Sequence, residues 1–325
     1  VQNARPETAT DLPAPPRFTT RLASNLKAFL DSDVFDSFKR SPVTITAFAV
    51  TVILFASAAF APWVAPYDVN DLRSLSLMDA FKPPAWAAGG DAAYLLGTDD
   101  QGRDVLSAII FGLRISLMVG FLGVILAAIV GTILGLVSGY LGGWVDALIM
   151  RIADVQLTFP AILIALLIDG IVGAVMGAQA HADSKLGVLV LAIAASLWVN
   201  FARTVRGSTL VEKNKEYVQA AQVIGIHPIL IMYRHVLPNV MGPVLVIATL
   251  SLAVAILTEA TLSFLGVGVP VTNPSLGTLI RIGNDFLFSG EWWMSIFPGV
   301  ALVILVLAVN LLGDWLRDAL NPKLR

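Results

Sequence analysis

Few residues in this chain have the chemistry to act on anything. Of its 325 residues, 57% are hydrophobic and only 14% are charged. One carboxylate, Glu259, lies deep in an apolar run, LAVAILTEATLSFL. An ionised carboxylate inside a bilayer costs about 2.5–3.5 kcal/mol on insertion scales, so it needs a partner, a water-filled cavity or the outer interface. Two readings stay open for it: structural pairing, or lining a substrate path. Asn200 and Asn310 also sit in apolar runs. Each is either glue between helices, for about 0.6 kcal/mol, or a ligand on a path or gate. Arg151 and Asp154 stand at i, i+3 and predict an ion pair on one helix. Asp99, Asp100, Arg103 and Asp104 crowd just before an apolar window, with Asp100 at helical spacing from both Arg103 and Asp104. They make either a solvated, locally paired helix start or a docking surface for an external protein. Asn284 and Asp285 fall in a Gly/Pro-punctuated stretch, 266–291, which is either a structured cap or a rim that receives such a partner.

Other chemistries are excluded. There is no cysteine, so there is neither a disulfide nor a thiolate nucleophile or ligand. The three histidines, His181, His227 and His235, are too dispersed to predict a metal cluster. No glycine is followed by lysine, so no phosphate-binding GxxxxGK[ST] loop exists, and neither GxSxG nor HExxH occurs. The chain is therefore expected to be no enzyme and to carry no cofactor of its own. A net charge of −2 gives no footprint for nucleic acid.

The most patterned polar segment is 204–239, which contains EKNKEYVQAAQVIGIHPILIMYRHVLPN. Helix formers run from Glu212 to Val223. Gly225 suits a helix stop, because glycine takes the positive φ of a C-terminal cap without strain. Pro228 suits the first turn of a second short helix, and Pro238 opens the next apolar run. Ala220 and Ala221 predict a small-residue face that another surface can approach. The alternative is a helix pair that only covers the bundle.

The elements that position these groups follow from hydropathy. Six apolar windows, at 43–65, 115–140, 146–170, 186–203, 240–265 and 292–313, are each long enough at 1.5 Å per residue to cross a hydrocarbon core of ~30 Å. Only helices and closed barrels satisfy their backbone in lipid, so the fold class is all-α, a polytopic membrane protein of six transmembrane helices. Windows two and three, joined through Gly139–Gly143, form a tight hairpin. Gly131, Gly135 and Gly139, with Gly120 and Gly123, make a small-residue ridge for close helix contact, and Pro160 predicts a kink in window three. Residues 1–25, rich in Pro, Thr and Ala, read as a flexible cytoplasmic tail without a cleavable leader. Residues 26–40 read as an amphipathic interfacial helix, and 41–325 as the membrane domain. With the N-terminus inside, most of the 21 basic residues fall inside, and only Arg73, Lys82, Arg103, Arg114, Lys185 and Arg281 fall outside. That places both termini and 204–239 in the cytoplasm, and 66–114 and 266–291 outside.

Four stretches carry a family resemblance. Gln219-Ala220-Ala221, then Gly225, then His235-Val236-Leu237-Pro238 resembles the EAA loop of bacterial ABC-importer permeases. Here Gln219 replaces the usual Glu and His235 the usual Ile. Leu96–Ser107, Leu262–Gly268 and Asn310–Pro322 resemble segments of the oligopeptide/dipeptide/nickel permeases, with Trp315 where Gly is commoner. The long external loop after the first helix resembles the C type of their two homologous subunits. The resemblance implies a type I ABC-importer permease architecture in a bacterial inner membrane. It implies a coupling helix that docks on a cytoplasmic ATPase through Glu216, Tyr217, Gln219, Ala220, Ala221, Gly225, Leu237 and Pro238. The implied partners are a homologous permease subunit in a heterodimer, two cytoplasmic ATPase subunits that carry ATP and Mg, an extracytoplasmic substrate-binding protein and the lipid bilayer. The external docking residues expected are Asp99, Asp100, Arg103, Asn284 and Asp285; those on a path or gate are Glu259, Asn200 and Asn310. Short peptides lead as cargo, with nickel chelates or sugar-like solutes as alternatives. The competing function is a secondary transporter driven by an ion gradient, which would show internal repeats and charges at midplane.

Overall fold

A computed structural model describes residues 33–69, 77–270 and 272–319. The expected tail over 1–25, the first turns of the expected interfacial helix and the Asn321-Pro322 end of the C-terminal motif lie outside these residues.

The described residues open with α1 (Asp33–Arg40) and turn at Ser41, whose side chain accepts from the Thr44 N–H and starts α2 (Pro42–Ala59). Proline at the first helical position fits there, since that N–H would have no helical partner. After the short α3 (Ala61–Val64) comes an external segment with one 3₁₀ turn, Leu77–Asp79. Then follow α4 (Val105–Leu141), α5 (Gly143–Leu157), α6 (Ala161–Met176) and α7 (Ala178–Glu212). Two short helices, α8 (Glu216–Val223) and α9 (Pro228–Ile231), lead through a π-helical turn at Met232–Val236 into α10 (Leu237–Phe264). The described residues close with α11 (Leu276–Phe286) and α12 (Trp293–Ala319).

Among the described residues, five helical stretches are long and apolar enough to cross a membrane, and six if α5 and α6 form one bent span. The six windows and the all-α class stand. The bend is 97° and sits at Thr158–Pro160. Pro160 has no N–H to give to Gln156, and its ψ of 133° is extended. The carbonyls left over are taken up locally: the Thr158 hydroxyl donates to Val155 O at 2.6 Å, and the Phe159 N–H donates to Gln156 O at 3.1 Å.

The core is the seam between α4 and α7, the most extensive contact in the bundle. It exists because the glycine ridge of α4 lies against the backbone of α7. A Cβ on Gly131 would stand 2.5 Å from Trp198 O, and one on Gly135 would stand 2.5 Å from Ala202 O. Phe201, Ile193 and Val205 of α7 fill the remaining space and are fully buried. α10 packs across α4, α7 and α12, while α2 lies against α12 and α4. The bundle thus has two ends. The α4–α5 hairpin and α8 mark a loop end; the 65–104 segment and α11 mark a cap end.

Two local expectations are corrected. The helix after the Asp99–Asp104 cluster begins only at Val105, so Asp100 has no helical neighbours there. Asp154 pairs with Arg203 of α7 rather than with Arg151, which is exposed.

Candidate functional site

The loop-end site is built on α8. α7 stops at Glu212, Lys215 pairs back to Glu212 at 2.9 Å, and α8 starts at Glu216. The helix turns Val218 and Ala221 into the bundle, where both are buried. Its termination follows from Gly225, which has φ +84°. The Gly225 N–H bonds Gln222 O at 3.0 Å and the Ile226 N–H bonds Ala221 O at 3.1 Å. This paired pattern needs a left-handed residue at the cap, and it folds Ile226 back onto the core.

Tyr217 ties three elements together. Its hydroxyl donates to the Glu212 carboxylate and accepts from Asn239 Nδ2 at 2.9 Å; Asn239 also donates to His235 O at 2.7 Å. Loss of water around the phenol, then the Glu212 carboxylate beside it, push its pKa up to about 12. The end of α7, the start of α8 and the start of α10 are therefore joined in one hydrogen-bonded unit. Gln219 Nε2 donates to Asn214 O at 3.1 Å, so its amide braces the turn before its own helix. Gln222 reaches Tyr140 of the α4–α5 hairpin, and Lys213 donates to Gly139 O at 2.8 Å.

What this unit presents outward is apolar. Val223 is 88% exposed, Ile224 77%, Tyr233 68% and Ile229 65%, beside exposed Glu216, Ala220 and Gly225. A cluster of this kind at a helix turn marks a surface meant to be covered. Sequence pattern missed these four residues because they break no periodicity; the apolar run Val223-Ile224 before Gly225 in a polar loop was the signal that could have found them. Ala221 is corrected: it packs inward, so the small-residue face open to a partner is Ala220 with Gly225. Leu237 is half-buried and Pro238 exposed at the start of α10.

Within the bundle, Glu259 is fully buried between α4, α10 and the start of α11. It accepts from Ser116 Oγ and Ser263 Oγ, each at 2.7 Å, and Ser116 Oγ also accepts from the Leu276 N–H at 3.3 Å. The carboxylate sits in a closed box of hydroxyls and faces no open path in this structure. Asn200 is exposed on α7 and Asn310 half-buried on α12; among the described residues neither bonds to another helix. The structure does not bring these three residues together.

At the cap end, Asp99 and Arg103 are buried, 4% and 5% exposed, in a 2.6 Å ion pair. Asp99 Oδ1 also accepts the N–H groups of Gln101 and Arg103, both at 2.9 Å. This clamp closes a turn: Asp99 and Arg103, expected as docking residues, are buried and hold the loop. Asp104 caps α4 by accepting from Ser107 N at 2.8 Å and Ser107 Oγ at 2.6 Å. Burial raises the pKa of Asp104, and burial with the Asp99 charge raises that of Asp100. Asp285 lies close enough to Asp100 to add to its shift. Asp285 and Asn284 are exposed on α11. Sequence reading missed a second knot: Lys82 binds Asp79 at 2.6 Å and Asp91 at 2.9 Å, which holds the Lys82 pKa above the usual ammonium value and lowers that of Asp91. Trp293 Nε1 donates to Thr98 O at 3.0 Å and fastens this segment to α12.

Comparison with known proteins meets this geometry at both ends. Residues 131–325, which include α7 to α12 and the whole loop-end site, match the family described as binding-protein-dependent transport system inner membrane component. Residues 31–84 match the N-terminal transmembrane domain of oligopeptide transport permease C. A dipeptide transport system permease protein of Escherichia coli is 43% identical over 288 residues, covering 89% of this chain and 91% of the relative. A di/tripeptide transport system permease protein of Pseudomonas aeruginosa is 37% identical over 293 residues, covering 90% and 92%. A dipeptide permease of Haemophilus influenzae is 39% identical over 288 residues, covering 89% and 93%. These matches set aside the ion-gradient alternative. The chain belongs to the inner-membrane components of binding-protein-dependent transport systems and is a transmembrane permease subunit of an ABC importer, which works in a complex with an ATPase and a binding protein and is not itself an enzyme.

Proposed function

We propose that this chain forms half of a translocation pathway for dipeptides in a bacterial inner membrane, with both termini and the loop end in the cytoplasm. The observation that carries the reading is the hydrogen-bonded unit of α7, α8 and α10 with its open apolar face at Val223, Ile224, Ile229 and Tyr233. Two ATPase subunits, holding ATP and Mg, close on ATP binding. One of them covers this face, and Tyr217 passes its movement into both α7 and α10 at once. A homologous permease subunit supplies the other half of the path. Glu216, Gln219, Ala220, Gly225 and Pro238 border the contact; Ala221 and Leu237 hold the unit to the bundle. At the opposite end an extracytoplasmic binding protein seats on the rim of Asp100, Asn284 and Asp285. ATP must favour one bundle arrangement over the other by several kcal/mol, since a ligand shifts a two-state equilibrium only by its differential affinity. The relatives named for dipeptide transport support the cargo.

The test is reconstitution of this chain with its sister permease, ATPases and binding protein in liposomes. Uptake of a radiolabelled dipeptide should need ATP and stop with vanadate. Accumulation against a gradient with the ATPases omitted would overturn the reading.

A further inference from the structure

One polar cluster in the bundle is left unused by the coupling loop and by the core. Arg203 of α7 pairs with Asp154 of α5, and their side chains are 48% and 53% exposed. Arg203 lies nine residues before the end of α7, about 13 Å along the axis at 1.5 Å per residue, within the apolar span Ser184–Glu212. A neighbouring pair shows the contrast. Asp146 and Arg206, nearer the loop end, are only 19% and 33% exposed and are also bonded by Ser138 Oγ. That pair is a closed clasp; the Asp154–Arg203 pair is open.

The open pair continues a polar stripe. Ser196, Asn200 and Arg203 follow at i, i+4 and i+7 on α7. Asp154 and exposed Thr158 follow at i, i+4 on α5, and Thr158 begins the break where the helix turns through 97°. Ser196 Oγ donates to Ala192 O of its own helix at 2.9 Å and lies 3.4 Å from Ala161 O across the break. A half-exposed ion pair and an exposed amide on helices of an apolar bundle are costly wherever they meet acyl chains, so this face looks onto water or another protein chain. Broken helices with interrupted backbone are likewise tolerated only where they border a cavity or protein.

We propose that the Asp154–Arg203 pair is a charge gate on the cargo path, with Asn200 beside it. The pair parts to hold the α-carboxylate of a passing dipeptide on Arg203 and its α-ammonium on Asp154, then closes behind it. An extended dipeptide spans about 7 Å, so the two side chains part by roughly the length of the cargo. Closed, the pair neutralises its own two charges. This rests on the import reading and specifies its site.

The absence of native cysteine makes the test clean in the complete transporter with cysteine-free partner subunits. With the pair intact, Asn200→Cys should react with a membrane-impermeant, charged thiol reagent in the nucleotide-free state, and excess dialanine on the cytosolic side should slow the reaction at least threefold. Asp154→Asn and Arg203→Gln should each lower dialanine uptake at least tenfold, and the double exchange D154R/R203D should recover part of it. Reaction of Asn200→Cys only with a lipid-soluble maleimide, or wild-type uptake in either neutralised variant, overturns the gate. If a neutralised variant fails to assemble, the labelling at position 200 decides. Failure of the wild-type complex to import dialanine with ATP overturns the import reading itself; import by wild type and variants alike removes only the gate.

Discussion

Two buried carboxylates, Asp104 and Glu259, show how the same group is held in two different ways. Asp104 accepts two bonds from Ser107 and fixes where α4 begins, yet its Oδ1 has no partner. Asparagine caps a helix as well as aspartate, while alanine loses about 1 kcal/mol. Asp104→Ala should therefore lower the unfolding temperature, whereas Asp104→Asn should hold or raise it at neutral pH. The sign with pH follows from burial. Because the folded-state pKa is raised above 3.8, the contribution of Asp104 is complete below that value and is lost as pH rises through the raised one. Thermal unfolding of both proteins from pH 7 down to pH 4 checks this; the advantage of the Asn variant should shrink with acidification. Glu259 differs because its oxygens meet only hydroxyls, which can rotate to serve an amide. Glu259→Gln should keep the chain in its complex, as read by co-purification. Glu259→Ala should destabilise it, since each orphaned buried hydroxyl costs about 1–3 kcal/mol.

At the scale of elements, the glycine ridge decides how closely α4 and α7 lie, and the position of the loop unit at the foot of α7 depends on that spacing. Gly135 has the backbone of Ala202 against it. Gly135→Val must push two main chains apart, and overpacking of this kind costs roughly 1–3 kcal/mol. The variant should aggregate at lower temperature in detergent than wild type; Gly207→Ala on the open side, with nothing within 4 Å of a new Cβ, should not. The ridge was legible because its glycines recur every four residues, and the spans because hydropathy needs no partner. So was the stop at Gly225. The ion pairs were not legible. Asp146 and Arg206 are 60 residues apart, and Asp154 and Arg203 are 49 apart; the local i, i+3 pattern of Arg151 and Asp154 pointed to the wrong partner. Asp99 and Arg103 looked like helix surface because nothing in the sequence says that Trp293 and α11 bury them. Ala221 likewise looked open, since a two-alanine face does not state which alanine turns inward.

At the scale of the whole molecule, import requires that the two ends be coupled through the bundle. The loop unit is rigid in itself: Tyr217, Glu212 and Asn239 bind α7 to α10, and Val218 and Ala221 bind α8 to the core. A push on α8 is therefore delivered to α7 and α10, the two helices that pack most extensively on α4. Two changes separate contact from transmission. V223D/I224D places charges on the open face without touching the internal bonds. It should abolish co-purification of the ATPases while the sister permease stays bound. Tyr217→Phe leaves the apolar face in place and removes the bridge between Glu212 and Asn239. The ATPases should still bind, but transport per ATP hydrolysed should fall several-fold. If Tyr217→Phe instead transports at the wild-type ratio, force enters the bundle through the packing of Val218 and Ala221 alone, and the hydrogen-bonded bridge serves only to fold the loop.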